Sequence, residues 1–149
     1  MDNQLPPIDR QKVLDRISDI ERAIKELERF SLMSAEEFEN DKNNFPLASY
    51  WLRIAIESLL VIGTHILSRL PQNGKKKDYT QIIVSLGDYV VIPASFANKI
   101  RGMAGYRNRL VHLYWQVTSR EIFETLKENL NDFTEFTEYI RTYLVSYKN

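Results

Sequence analysis

The chain has 149 residues, enough for one domain with a continuous hydrophobic core and too few for two. It carries 44% apolar and 27% charged residues, a formal net charge of zero and no cysteine. That is the balance of an ordinary globular protein; it excludes disulfides and thiolate metal sites, and the neutral sum speaks against nucleic-acid binding through overall charge.

The opening stretch, Met1 to Leu5, has neither a basic region nor an apolar run, so no secretory signal is expected and the cytoplasm is the expected compartment. Pro6-Pro7-Ile8-Asp9 announces the first helix, with Asp9 as its N-cap. Val13, Ile17, Ile20, Ile24 and Leu27 then recur at four- and three-residue steps, lining one face of a helix that runs to about Phe30. Ser34-Ala35-Glu36-Glu37 reads as a capping box ahead of a short helical turn. Asn43-Asn44 interrupts that turn, and Pro46 suits the first turn of the next helix. This second long helix, predicted over 47–70, is apolar on most of its circumference. Because it also carries Arg53, Glu57, His65 and Arg69, it reads as a buried core helix, and no membrane is expected as a partner.

Residues 71–77 combine a proline, a glycine and three lysines, the pattern of a solvated loop, with contact to a polyanion as the lesser reading. Asp78 is placed to cap a short helix, and Gly87 to end it in the left-handed conformation. Val90-Val91-Ile92 reads as an extended connection before Pro93 opens a helix carrying Ala94, Phe96, Ala97, Ile100 and Met103. That helix is expected to pass through Gly102 and Gly105 into the segment 106–115. Thr118-Ser119-Arg120-Glu121 is read as another capping box, opening a last helix with Ile122, Leu126, Phe133, Ile140, Leu144 and Tyr147 on its buried side. The expected fold class is all-α: an up-and-down bundle of four to five helices forming a single domain over 1–149.

The zero net charge conceals an uneven distribution. From Tyr89 to Arg120 there is no acid, while Lys99, Arg101, Arg107, Arg109 and Arg120 fall inside that stretch, giving a local positive field. Only two histidines occur, His65 and His112, without a His-Glu-x-x-His pattern, so neither a metal nor a cofactor is expected. On an unbroken helix Arg107 and Tyr114 share a face within about 20°, and Asn108 and His112 stack four residues apart, close enough for the amide to fix the imidazole. Arg107 and His112 stand about 140° apart. They converge only if the arginine curls round the helix or if two copies meet at a dimer axis, which argues for a composite cleft in a homodimer.

The set suits metal-free cleavage of RNA. The 2′-hydroxyl is a nucleophile already held beside its phosphodiester, a histidine moves protons near neutral pH, and an arginine fork holds phosphate through two parallel hydrogen bonds. The expected products are a 2′,3′-cyclic phosphate and a 5′-hydroxyl. Beside this stands the structural reading, in which a lone helical histidine is simply a satisfied side chain; His65 is assigned to that class.

The run Arg107-Asn108-Arg109-Leu110-Val111-His112-Leu113-Tyr114 resembles the HEPN signature, and its tyrosine is similar to the Arg-x4-His-x-Tyr form of HepT toxins. The Ser34 to Phe38 turn, Ile56-Glu57, His65-Ile66-Leu67 and the Met103 to Tyr106 lead-in resemble HepT as well. The resemblance implies a HEPN-like helical homodimer, a metal-independent endoribonuclease toxin of a toxin-antitoxin system. Its implied partner is a minimal nucleotidyltransferase antitoxin, MntA-like, that neutralises it by AMPylation. On this chain Arg107 and His112 would be catalytic and Tyr114 the AMP acceptor. Asn108 matches the polar position after the arginine, Arg109 would steer RNA or be an ordinary surface arginine, and Glu57 would orient Arg107. The alternative is a non-catalytic helical module that binds nucleotides or partners a nucleotidyltransferase.

Overall fold

The computed structural model describes residues 5–71 and 76–149, so 72–75 of the predicted loop lie outside the described residues. The chain forms α1 (Arg10–Ser31), α2 (Ala35–Asn40), α3 (Asn44–Leu67), α4 (Tyr79–Asp88), α5 (Ala94–Ile100), α6 (Met103–His112), a 3-10 turn (Tyr114–Gln116) and α7 (Ser119–Ser146). The all-α class is as the periodicity predicts. The expected four to five helices become seven among the described residues, because α2 is a complete short helix and because the fourth predicted helix is broken at Arg101-Gly102 into α5 and α6.

α3 is the hub. α1, α2, α4, α6 and α7 all pack against it, burying Ala48, Leu52, Ile56, Leu59, Ile62 and Ile66. By length and composition α3 could cross a membrane; here most of its circumference is covered by other helices instead. One stripe of it, Leu47, Tyr50 and Val61 with Glu57 partly open, faces outward. α1 starts where Asp9 accepts a hydrogen bond from the Lys12 backbone N–H at 3.1 Å, and it buries the predicted Val13, Ile17, Ile20, Ile24 and Leu27. Ser34 and Glu37 form the predicted reciprocal box at the start of α2. Phe38 on α2 then meets Phe30 edge-on at 5.8 Å and Phe123 at 5.6 Å, so one aromatic column ties α1, α2 and α7 together.

Three local expectations are corrected. Gly87 does not end α4; it lies within the helix, where an added Cβ would come 2.7 Å from the Ala97 Cβ. Its smallness lets α5 approach α4. The left-handed residue is Val90, with φ 57. Nor is 90–92 extended: the Val90 N–H donates to the Gly87 carbonyl at 3.0 Å and the Val91 N–H to the Leu86 carbonyl at 2.9 Å. That pair of bonds is the Schellman closure, which normally places glycine where this chain has a β-branched residue. At the start of α7, Thr118 caps Glu121 as predicted, but the Glu121 carboxylate does not reach back, because it is held by Arg109.

Val90 is 76% exposed, so its side chain contributes little packing to offset a left-handed backbone costing an L-residue about 1–2 kcal/mol. Val90→Gly is therefore expected to stabilise the fold by roughly 1 kcal/mol, after allowing for the greater freedom of glycine in the unfolded chain. Thermal unfolding followed by circular dichroism should show a Tm higher by about 3 °C. An unchanged or lower Tm would mean that the backbone is relaxed at this position.

Candidate functional site

Arg107 lies on the face of α6 that packs toward α3 and α4, and only 17% of its side chain is exposed. Its Nη2 is 3.3 Å from Glu57 Oε1 on α3, and its Nη1 donates to Asn108 Oδ1 at 3.2 Å. The guanidinium carbon stands 5.0 Å from the centroid of the Tyr79 ring at the start of α4. Three elements thus fix one arginine fork. Its Nε is buried and has no hydrogen-bond partner among the described residues. A buried donor of this kind carries a desolvation cost that a ligand acceptor would relieve.

The fork opens onto a cavity of about 670 Å³ between α1, α3, α4 and α6. Glu57, Tyr79 and Arg107 form one end, and Asp9, Lys12, His65 and Arg69 form the other. His65 is buried, and its Nε2 accepts the Asp9 backbone N–H at 3.0 Å, which requires that nitrogen to be unprotonated. Burial, then the nearby Arg69 and Lys12 charges, push its pKa below the ordinary histidine value, with Asp9 opposing. His65 is an acceptor that anchors the entry to α1, the structural role assigned to it from sequence.

His112 is the last residue of α6 and is exposed. Leu113 (φ −129, ψ 39) takes the chain out of the helix, and the next bonds, Gln116 N–H to the Leu113 carbonyl and Val117 N–H to the Tyr114 carbonyl, have 3-10 spacing. Tyr114 is therefore not on α6, and the shared face predicted for Arg107 and Tyr114 does not exist. Tyr114 instead sets its ring 5.1 Å from Phe45 near the start of α3, and its hydroxyl has no hydrogen-bond partner among the described residues. Leu113 and Trp115 beside it are also exposed.

Asn108 accepts from Arg107, and no hydrogen bond joins it to His112 among the described residues, so the predicted amide–imidazole pair is absent. Arg109 grips Glu121 through both Nη atoms, and its Nη2 also donates to the Gln116 carbonyl at 3.2 Å. This clamp fastens the 3-10 turn to α7. Tyr106, the other tyrosine of the segment, is largely buried, which pushes its hydroxyl up to about 12. The structure thus assembles Arg107, Asn108 and Glu57, leaves His112 exposed at the end of α6 and Tyr114 in the 3-10 turn beyond it, and directs Arg109 into a scaffold contact. His112 does not line the cavity that Arg107 faces. Tyr79, Lys12 and Arg69 were missed in the sequence; they come from three separate elements, and no local spacing links them.

A family model described as ribonuclease HepT-like matches residues 20–140. A relative named tRNA nuclease HepT, from Aphanizomenon flos-aquae (strain 2012/KM1/D3), is 25% identical over 131 residues, covering 88% of each chain. Among solved structures, the cytosolic protein of unknown function YutE from Bacillus subtilis superposes with a TM-score of 0.78 at 20% identity, covering 93% of this chain and 92% of that one. The tri-AMPylated Shewanella oneidensis HEPN toxin, solved in complex with an MNT antitoxin, gives 0.77 at 21% identity, covering 88% of this chain and 97% of the toxin. At those identities the structural matches speak to the fold.

Proposed function

Since the chain belongs to the HepT-like ribonuclease family, we propose that it is a metal-independent endoribonuclease toxin, a cytoplasmic homodimer whose cleft draws Arg107 and His112 from both copies. The observation that carries this reading is the arginine fork held by Glu57, Asn108 and Tyr79 before any substrate arrives. Such preorganisation is what an electrostatic clamp for a phosphodiester requires. The 2′-oxygen attacks phosphorus, His112 of one copy takes its proton, and His112 of the other gives a proton to the departing 5′-oxygen. The bond to the 5′-oxygen breaks as the 2′,3′-cyclic phosphate forms. The separation of Arg107 and His112 on one α6, with the exposed apolar Leu113, Tyr114 and Trp115 beside His112, supports a second copy completing the site.

In this reading the partner is an MntA-like nucleotidyltransferase antitoxin, a kind of partner seen with the Shewanella toxin. The Tyr114 oxygen attacks the α-phosphorus of ATP, pyrophosphate leaves, and the phenolic proton passes to solvent. A side chain exposed as a whole, a ring steadied by Phe45 and a position two residues from His112 support Tyr114 as acceptor. The attached AMP brings a phosphate charge and a base into the space where RNA must lie.

Protein made together with the antitoxin is expected to show AMP increments by intact mass and no RNA cleavage. Tyr114→Phe made the same way should lack the increment at that site and cleave RNA in the presence of EDTA, leaving cyclic phosphate ends. Unchanged increments in Tyr114→Phe would place the modification elsewhere. An unmodified dimer that leaves RNA intact would favour the non-catalytic module.

A further inference from the structure

The cavity behind Arg107 is larger than a single phosphate needs. Its volume of about 670 Å³ lies within the roughly 300–1,000 Å³ typical of small-molecule sites. Three cations, Lys12, Arg69 and Arg107, line it against two carboxylates, Asp9 and Glu57. Glu57 is already paired with Arg107, and Asp9 caps its own helix through the Lys12 backbone N–H. At the far end the Lys12 ammonium has no ion-pair or hydrogen-bond partner among the described residues, and Arg69 uses Nε on the Pro7 carbonyl and Nη1 on Ser68, leaving Nη2 open. Burial is the main cause that lowers the His65 pKa, and the Arg69 and Lys12 charges beside it push the same way, with Asp9 opposing. The cavity therefore has a clamp at one end and, at the other, two cations against the single carboxylate of Asp9, a net positive end on a surface continuous from α6 to α1.

We propose that this far end is a second phosphate position on the RNA path, where Lys12 and Arg69 hold the backbone of a nucleotide adjoining the one clamped by Arg107. The inference rests on the reading of the chain as an RNA-cleaving protein and extends its substrate site to α1. It makes the ligand a strand of at least two linked phosphates, since one phosphate cannot occupy both ends. His65 stays neutral there and adds no charge, and its Nε2 is occupied by the Asp9 N–H, so it contributes wall but no contact.

The test is binding of a ten-nucleotide single-stranded RNA, read by fluorescence anisotropy over a range of salt concentrations. His112→Ala protein is used throughout to keep the probe intact. Lys12→Ala is expected to weaken binding roughly fivefold and to lower the slope of log K against log salt by about 0.7, the contribution of one single-strand phosphate contact. Lys25→Ala removes the same charge from the exposed side of α1, outside the cavity, and should leave that slope unchanged. Because the Lys12 side chain makes no hydrogen bond or ion pair among the described residues, Lys12→Ala should keep the parental Tm, which separates lost contact from lost fold. If Lys12→Ala binds like Lys25→Ala while unsubstituted protein cleaves RNA, this proposal falls and the functional reading stands. If unsubstituted protein neither binds nor cleaves RNA, both fall.

Discussion

Replacing His112 with alanine is expected to slow RNA cleavage by about 10²–10⁴-fold, the usual contribution of a positioned acid or base. The side chain is exposed at the end of α6 and makes no hydrogen bond among the described residues, so the variant should fold and unfold as the parent does. The loss should therefore appear in kcat, at unchanged Tm, with an RNA oligonucleotide as substrate and EDTA present. A substrate with a 2′-deoxy sugar at the scissile position should resist even the parent, because it lacks the attacking oxygen. Dimers with one His112→Ala copy sharpen the test. If acid and base come from different copies, the mixed dimer should be nearly as slow as the double variant. Half of parental activity would assign both proton transfers to one chain, and full activity in His112→Ala would remove His112 from the chemistry.

Arg107→Lys is expected to cost a further large factor, roughly 10²–10³ in kcat, as for loss of one preorganised donor to a developing anion. Lysine keeps the charge, but it cannot reproduce the fork that meets Glu57 and Asn108 and stacks over Tyr79. Glu57→Gln is the companion measurement. Arg107 then keeps Asn108 and Tyr79 and loses only its charged partner, so in the proposed reading Glu57 would act as a positioning residue. The expected loss is roughly tenfold, in kcat with KM little changed, because the clamp is mis-aimed in the transition state more than in the bound substrate. Glu57 is 36% exposed, so its pair with Arg107 should contribute only about 0–1 kcal/mol to stability. A Tm equal to the parent's with kcat reduced would separate positioning from folding; equal kcat in both variants and parent would overturn the clamp.

Much of the helical framework was legible because it follows from local chemistry. Asp9, Ser34, Asp78 and Thr118 cap the backbone amides three residues ahead, a relation written within four consecutive residues. The buried faces of α1 and α7 follow from the 3.6-residue period. The errors fall where a residue answers to a distant neighbour. Gly87 looked like a helix stop and is small because Ala97 presses against it, while Glu121 looked like half of a capping box and instead holds Arg109.

The candidate site divides along the same line. Sequence alone determined an all-α domain and singled out Arg107, Asn108, His112 and Tyr114 as a phosphate-compatible cluster, because those residues lie within eight positions of one another. It could not decide that α6 ends at His112, since nothing local obliges Leu113 to leave the helix; the clamp from Arg109 to Glu121 and the seat of Tyr114 on Phe45 hold the turn in place. Only the tertiary structure decided that Arg107 turns toward Glu57 and Tyr79, into a cavity whose other wall comes from Lys12 and Arg69. Those partners lie 28 to 95 residues from Arg107, and only the packing of α1, α4 and α6 against α3 brings them together.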